Sequence, residues 1–201
     1  MNRTTILLAV AGLIIGTALG TLALRSTSST SEDRVEVTGK PLIGGPFSLV
    51  DQTGKRVTDE DYRGKYMLVF FGYTSCPDIC PAGLQVMTAA LKKLGHRGDD
   101  IVPIFITVDP EQDTPQKLAA YVENFSPRLI GLTGSPSDIA AVAKAYRVFY
   151  QKAPDQNDPT HYSIDHSSIF YLMGKDGTLL TPIADTNDVD QFAQTIEKAL
   201  Q

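Results

Sequence analysis

The sequence is poor in metal-binding and redox-active side chains, and it has no excess of positive charge. Its 201 residues include two cysteines, three histidines and no tryptophan, and the formal net charge is -5. Two cysteines are too few for a closed zinc site made of four thiolates. Residues 41–201 carry 14 positive and 20 negative side chains. Because nucleic-acid binding needs cations that displace counterions from phosphates, we exclude the nucleic-acid-binding class.

The rest of the composition is that of a folded protein. Hydrophobic residues make up 42% of the chain and charged residues 20%, and no internal repeat is evident. These fractions exclude a disordered chain, a collagen-like repeat and a protein with several membrane spans. At roughly 100–200 residues per domain, the length predicts one domain with a short extension.

A long uncharged run lies near the amino terminus. Residues 6–24 carry no charge and lie between Arg3 and Arg25. As a helix, this run would reach about 28 Å, close to the hydrocarbon thickness of a bilayer. Residues 1–25 are therefore predicted to be an anchor that crosses a membrane once, with the domain exported. The location we expect is the inner (cytoplasmic) membrane, with the domain facing the periplasm. A cleaved signal peptide is the alternative, since Thr21-Leu22-Ala23 fits a cleavage site, and both interpretations export the domain.

The glycines of the anchor and the polar segment after it carry two further predictions. Gly12, Gly16 and Gly20 form a GxxxGxxxG row on one helix face, so a weak dimer is a hypothesis beside ordinary membrane-helix composition. Residues 26–40 begin with the polar run STSSTS and are expected to form a flexible tether of about 20 Å root-mean-square length. The tether would hold the folded domain, residues 41–201, close to the membrane, which favours a membrane-bound partner.

Strand and helix patterns alternate along residues 41–201. Hairpins are predicted around residues 51–55 and 174–177, because each turn-forming segment lies between apolar runs. Nearly continuous apolar runs at residues 66–73 and 104–108 are typical of strands buried on both faces. Apolar spacing indicates a short strand at residues 129–132. It also indicates four helices, at residues 84–94, 118–125, 139–146 and 189–200. This order predicts an α/β fold, a thioredoxin-like mixed sheet flanked by helices, with an N-terminal hairpin.

The two cysteines, Cys76 and Cys80, lie in the segment FFGYTSCPDICP, directly after a predicted buried strand. Sites in open α/β sheets form at this carboxyl edge of the strands. Pro81 fits the first turn of a helix, whose free N–H groups would favour a thiolate and lower the thiol pKa. The pair could therefore form a redox site or share a metal ion.

A purely stabilising disulfide is a weaker interpretation of the same pair. Closing a loop of about five residues stabilises a protein by roughly 2 kcal/mol, against about 5 kcal/mol for a loop of about a hundred residues. The redox motif of thioredoxin-like proteins is C-x-x-C, whereas three residues separate Cys76 from Cys80. The spacing leaves metal binding and redox chemistry open, and a third ligand would favour metal binding.

Three histidines are candidates for the third ligand. His96 lies in a charged loop after a predicted helix and is expected to be solvated. His161 and His166 lie in a polar segment before the predicted strand at residues 168–173, and the composition around His161 indicates an insertion. If that strand runs antiparallel to the cysteine-bearing strand, its start lies at the edge where the other strand ends. His166 would then face both thiols.

Two thiolates and one imidazole form a soft ligand set. Thiolates suit Cu(I) and zinc, and imidazole also suits Cu(II). Since a closed zinc site normally has four protein ligands, copper as Cu(I) or Cu(II) is the better match for Cys76, Cys80 and His166. The ligands must be deprotonated, so oxidation of the thiols to a disulfide would abolish binding.

Two acidic residues lie next to the predicted ligands. Asp165 either orients the imidazole or forms a turn, and Asp78 either tunes the thiol pKa or is solvated.

The acidic segment ITVDPEQDTP at residues 106–115 could suggest a second metal site, through Asp109, Asp113 and Thr114. A turn at the end of a strand, followed by a helix cap, explains these residues more simply. Asp113 with Gln116 is expected to form a capping box, with a proline in the first turn of the helix.

Three segments of the chain resemble the Sco/SenC family of membrane-anchored copper proteins: FFGYTSCPDICP, ITVDPEQDTP and, at residues 162–173, YSIDHSSIFYLM. The resemblance covers about residues 41–201 and implies a thioredoxin-like fold on an N-terminal anchor. It assigns the metal-binding residues of the family to Cys76, Cys80 and His166, with Asp165 as the acidic neighbour in a DHS motif. Gln112 stands where many members are expected to have a basic residue.

The resemblance also implies a function. The family similarity implies a copper-binding assembly factor that delivers copper to, or prepares, the dinuclear copper site of cytochrome c oxidase subunit II, with a copper donor protein as a second partner. Such a protein is a carrier rather than an enzyme. The alternative is a membrane-tethered thiol–disulfide oxidoreductase that reduces partner cysteines, for which the redox pair Cys76 and Cys80 suffices. A peroxidase is a third hypothesis, because peroxiredoxin-like chains share the fold, and no other feature of the sequence supports it.

Overall fold

The computed structural model describes residues 42–154 and 162–201. In these ranges the backbone forms a large mixed sheet and a separate two-stranded ribbon. The strands, in chain order, are β1 (Ser48–Asp51), β2 (Arg56–Thr58), β3 (Tyr66–Gly72), β4 (Ile101–Thr107), β5 (Ile130–Thr133), β6 (Tyr150–Pro154), β7 (Tyr162–His166), β8 (Ile169–Met173) and β9 (Leu179–Ala184). The seven-stranded sheet has the order β2-β1-β5-β4-β3-β8-β9, and β6 pairs with β7 in the ribbon.

The middle of the sheet consists of parallel strands, and its two sides are antiparallel. β4 runs parallel to β3 and β5, whereas β8 runs antiparallel to β3 and to β9. The β1–β2 hairpin joins the other side through an antiparallel pairing with β5. Every residue of β3 after Tyr66 is buried, so both faces of this strand are covered. The predicted thioredoxin-like mixed sheet with an N-terminal hairpin is confirmed.

The helices of the described ranges are α1 (Ile79–Lys93), α2 (His96–Asp99), α3 (Pro115–Glu123), α4 (Pro136–Tyr146) and α5 (Val189–Ala199), with a 3-10 turn at Asp59–Tyr62. α1 contains Pro81 in its first turn, where a missing N–H and a fixed φ suit a helix start. Its buried residues Leu84, Met87 and Leu91 repeat at helical spacing, and the helix packs beside α5. α1 therefore starts at the carboxyl end of β3, as the sequence predicts.

The start of α3 differs from the prediction. The N-cap is Thr114, whose side chain accepts a hydrogen bond from the Lys117 N–H at 3.3 Å, and Pro115 occupies the first helical position. The predicted capping box of Asp113 and Gln116 is therefore wrong. Asp113 is buried instead, and its carboxylate accepts hydrogen bonds from residues outside the helix.

The β6–β7 ribbon is an element that the sequence patterns did not predict. Tyr150 of β6 lies opposite His166 of β7 in an antiparallel pairing. Along β7, Ile164 is buried while Ser163 and Asp165 on either side of it are exposed, so alternate residues face the domain. The segment before β8 is thus an ordered strand at His166.

The amino-terminal predictions concern residues that the structure does not describe. Within residues 42–154 and 162–201, no helix has both the length and the apolar character required to cross a membrane. The predicted anchor at residues 1–25, with Gly12, Gly16 and Gly20, lies outside the described residues. So do the predicted tether at residues 26–40 and His161.

Candidate metal centre

The structure brings Cys76, Cys80 and His166 together. Cys76 lies in the loop between β3 and α1, Cys80 lies in the first turn of α1, and His166 is the last residue of β7. One ligand atom from each residue lies within 4.8 Å of the others, and Cys80 Sγ is 3.4 Å from His166 Nε2. His96, by contrast, is fully exposed on α2 beside Asp99, as expected for a solvated histidine.

Cys80 fits into the core because the residue opposite it has no side chain. A Cβ atom at Gly72 would lie 2.6 Å from Cys80 Sγ and 2.8 Å from the ring of Phe105. Cys80 is completely buried, whereas Cys76 is part-exposed, and both are free thiols. The Cys80 N–H, at the start of α1, donates to Cys76 Sγ at 3.4 Å. The helix start therefore supplies a hydrogen bond to the more exposed sulfur, Cys76 Sγ. The sequence predicts that the N–H groups of this helix favour a thiolate near Cys80, and it does not predict that Cys76 receives the hydrogen bond.

The two thiols have opposite pKa shifts. A hydrogen bond from the Cys80 side chain is the main cause that lowers the pKa of Cys76 to about 3. Burial opposes this shift, whereas the His166 side chain and the N–H groups of Cys80 and Asp78 add to it. The same hydrogen bond, together with burial, raises the pKa of Cys80. At neutral pH the pair therefore holds one thiolate, on Cys76, and one thiol, on Cys80. Asp78 acts through its backbone N–H, and its side chain is exposed.

The imidazole of His166 is oriented by its own strand end and by two aromatic rings. Its Nδ1 atom lies 3.2 Å from the carbonyl oxygen of Ser167. Since a carbonyl can only accept, this hydrogen bond needs a proton on Nδ1, so Nε2 is the ring nitrogen that faces the thiols. The rings of Phe70 and Tyr73 meet the imidazole edge-on, with centroid distances of 6.2 and 6.0 Å.

Asp165 has neither of the two roles considered for it from the sequence. It lies in β7 opposite Gln151 and is exposed, so it does not form a turn. Among the described residues, it makes no hydrogen bond to the imidazole, whose Nδ1 contact is the Ser167 carbonyl.

Two residues near the site have a role that the sequence patterns did not reveal. Asp109 and Asp113 are buried, and their carboxylates accept hydrogen bonds from Tyr162 and from Thr74 respectively. The segment ITVDPEQDTP contains both residues, but nothing in its pattern distinguishes these buried carboxylates from the exposed Glu111 between them. Local patterns could not identify the partners, which are distant in sequence.

A groove of about 340 Å³ opens onto the site from solvent. Cys76 and His166 line it, together with Tyr73 and Ile79. Ile79 is one of the few large apolar side chains exposed in the described ranges, at 45%. The groove therefore gives a partner direct access to one thiol and the imidazole, while Cys80 lies beneath them.

A thioredoxin-like domain with two thiols and one imidazole at the carboxyl edge of its sheet defines a class of proteins suited to bind a soft metal ion or to exchange thiol and disulfide. The model of the SCO1/SenC family matches residues 35–201. The chain therefore belongs to the SCO1/SenC family, and the resemblance seen in its three sequence motifs is confirmed.

Named relatives have a similar sequence and fold. The mitochondrial protein SCO1 homolog 1 of Arabidopsis thaliana is 44% identical over 164 residues, which cover 81% of this chain and 48% of the relative. This chain thus spans about half the length of that relative. The crystal structure of Arabidopsis thaliana ScoI with copper bound has 44% identity and a TM-score of 0.74, covering 79% of this chain and 98% of that one. BsSco, described as having a disulfide switch and as a member of the Sco family of cytochrome c oxidase assembly proteins, has 31% identity and a TM-score of 0.61, covering 79% and 93%.

We expect alkylation of Cys76 by iodoacetamide to vary little between about pH 6 and pH 8, because a pKa near 3 keeps the sulfur ionised throughout. An unperturbed thiol would react roughly 75-fold faster at the higher of these pH values. Mass spectrometry of the labelled peptide measures the rate. In Cys80→Ala, which removes the thiol that donates to Cys76, the rate should regain a strong pH dependence. A steep dependence in the wild-type protein would contradict the thiolate assignment.

Proposed function

We propose that the protein binds one copper ion through Cys76 Sγ, Cys80 Sγ and His166 Nε2. We propose further that it delivers copper to, or prepares, the dinuclear copper site of cytochrome c oxidase subunit II. The observation that carries the proposal is the convergence of these three ligand atoms within 4.8 Å. Membership of the SCO1/SenC family, the copper-bound ScoI relative and the assembly role stated for the BsSco family support it.

The donor set fits copper better than zinc. Two sulfurs and one imidazole nitrogen are soft donors, which suit Cu(I), and imidazole also suits Cu(II). A structural zinc site normally takes four protein ligands, whereas the cluster formed by the described residues has three members. One of the two thiolates is present before copper binds, because Cys76 is ionised at neutral pH. Copper binding must then release the proton of Cys80, so the affinity should rise with pH.

The position of the groove fits a protein that passes on its cargo. Cys76 and His166 line the groove, whereas Cys80 is buried. A partner with sulfur or nitrogen ligands could approach the ion from the groove without unfolding the domain. We propose that both the copper donor protein and subunit II use this access.

We expect the reduced protein to bind about one copper per chain, and His166→Ala to weaken Cu(II) binding by more than about tenfold. Removing a residue that only hydrogen-bonds to a metal ligand costs about 10–100-fold in metal affinity, and removing the ligand itself should cost at least as much. Titration monitored by absorbance and EPR measures both quantities. His96→Ala is the matched control, because His96 is fully exposed and should bind copper like wild type. Equal Cu(II) affinity in His166→Ala and wild type would remove His166 from the ligand set.

A second candidate function is thiol–disulfide exchange with a partner protein, and the opposite pKa shifts of the two cysteines favour it. The Cys76 thiolate would attack one sulfur of a partner disulfide, forming a mixed disulfide and releasing the other partner sulfur as a thiolate. Cys80, after losing its proton, would then attack Cys76 and release the second partner sulfur. The partner gains two electrons and the pair becomes a disulfide, which cannot bind copper.

In a single-turnover reduction of a peptide disulfide, we expect Cys76→Ser to abolish activity and Cys80→Ser to stop at a mixed disulfide. His166→Ala should keep most of the activity, because the imidazole is not a participant in either bond exchange. Gel-shift labelling of the released thiols follows the reaction. Activity retained in both single cysteine variants would exclude this function.

We also propose that residues 1–25 anchor the chain in the inner membrane and that residues 26–40 tether the domain, residues 41–201, on the periplasmic side. The uncharged run at residues 6–24 supports an anchor. We expect the full chain to stay in the membrane pellet after alkaline carbonate extraction, and a chain that begins at residue 26 to be released. A mature protein that lacks its first residues and is recovered in the soluble periplasmic fraction would identify a cleaved signal peptide instead.

A further inference from the structure

The turn between β4 and α3, residues 109–113, contains two buried carboxylates fixed relative to each other; we name it the clamp turn. Asp109 and Asp113 are 2% and 1% exposed. The Asp113 N–H donates to the Asp109 carbonyl at 2.9 Å. Thr107 joins them from the end of β4, since its hydroxyl accepts from the Asp109 N–H at 2.9 Å and donates to Asp113 Oδ2 at 2.7 Å. Burying a carboxylate is costly unless it is hydrogen-bonded, so the partners of these two groups indicate what the turn holds.

Asp113 holds the loop that carries the first cysteine. Its carboxylate accepts hydrogen bonds from the Thr74 N–H at 2.9 Å and from the Thr74 hydroxyl at 2.5 Å. Lys117 lies 3.3 Å from the same carboxylate and donates to the Ser75 hydroxyl at 3.2 Å. Thr74 and Ser75 directly precede Cys76 in the chain, so the clamp turn fixes the start of the cysteine loop.

Asp109 holds the ribbon that carries the histidine. Both of its oxygens accept from the Tyr162 hydroxyl, at 3.0 and 2.9 Å. Lys152 of the paired strand lies 3.8 Å from Asp109 and 4.5 Å from the centre of the Tyr162 ring, and it also pairs with Glu111 of the turn. The clamp turn therefore contacts both strands of the ribbon.

Tyr162 and His166 lie on the same face of β7. Residues two apart on a strand point the same way, so Tyr162, Ile164 and His166 all face the domain. Between them, the Ile164 N–H donates to the Tyr73 hydroxyl at 3.3 Å. A slip of the ribbon by one residue would turn His166 away from the thiols.

We propose that the clamp turn sets the separation between the thiols and the imidazole, with Asp113 and Asp109 as positioning residues for the two halves of the site. Asp113 acts through Thr74 on the cysteine loop, and Asp109 acts through Tyr162 on His166. As far as copper binding is concerned, this role rests on the proposed function. The anchoring of the ribbon itself does not depend on copper.

The first test is amide hydrogen exchange in the metal-free full chain, with Tyr162→Phe compared against Tyr150→Phe. Each substitution removes one hydroxyl from the inward face of the ribbon, where Tyr150 lies opposite His166. The Tyr162 hydroxyl donates to Asp109, whereas the Tyr150 hydroxyl makes no hydrogen bond to another described residue. We expect Tyr162→Phe to speed exchange at residues 162–166 by about tenfold and the control to leave it unchanged.

Thr74→Val tests the other half, because it removes the hydroxyl that donates to Asp113 while the backbone hydrogen bond stays possible. Exchange should then rise in the cysteine loop and not in the ribbon. Faster exchange throughout the sheet in either variant would mean a general loss of stability and would overturn the clamp. Unchanged exchange at residues 162–166 in Tyr162→Phe would overturn it as well.

Copper binding provides the second readout. Tyr162→Phe should bind Cu(II) about tenfold more weakly than wild type, with a weaker nitrogen hyperfine signal in EPR, and His166→Ala gives the reference for a site without the imidazole. Wild-type affinity with a full nitrogen signal in Tyr162→Phe would overturn the clamp. If the wild-type chain binds no copper, the proposed function fails, and the exchange data alone decide on the clamp.

Discussion

The antiparallel pairing of β3 with β8 is the constraint on which the rest of the site depends. Phe70 pairs with Phe170 across these strands, and their rings stack with centroids 4.3 Å apart. Because the strands run in opposite directions, the end of β3 and the start of β8 lie at the same edge of the sheet. Cys80 and His166, 86 residues apart in sequence, therefore meet there. Aromatic packing in the core thus stabilises the arrangement of the thiol and the imidazole at this edge.

The difference in burial between the two sulfurs determines the chemistry of the pair. Cys80 is fully enclosed beside Gly72 and retains its proton, whereas Cys76 is part-exposed and receives hydrogen bonds from the start of α1. One negative charge is easier to accommodate than two in a partly desolvated site. A soft cation can stabilise the second charge by binding both sulfurs, and an oxidant can remove the charge by joining them. Metal binding and disulfide formation are therefore alternative ways of using the same two atoms.

The sequence was sufficient to predict an element or a site position wherever the local pattern and the tertiary structure required the same residue type. Local patterns predicted the buried strand β3, the start of α1 at its proline and the position of Cys76 at the strand end. The position of His166 beside the thiols was predicted from an antiparallel pairing of the two strands. Asp113 was wrongly predicted to cap the helix because aspartate and threonine are both good capping residues, and Thr114 stands next to it. The contact that distinguishes Asp113 is its hydrogen bond from Thr74, which is distant in sequence. The ribbon was missed because its strands are short and largely exposed. Contacts with Asp109 and Tyr73, rather than strand propensity, stabilise it.

If the site passes its ion on, as we propose, it has to hold the ligands in place without enclosing the ion. Here the fixed positions come from below, where buried carboxylates and aromatic rings hold the cysteine loop and the ribbon. The solvent side is open, because the groove exposes Cys76 and His166. The proposed set of three protein ligands would leave a coordination position for an incoming ligand, whereas a closed site of four ligands would first have to lose one. Preorganised ligands beneath an open face are therefore better suited to transferring an ion than to storing it.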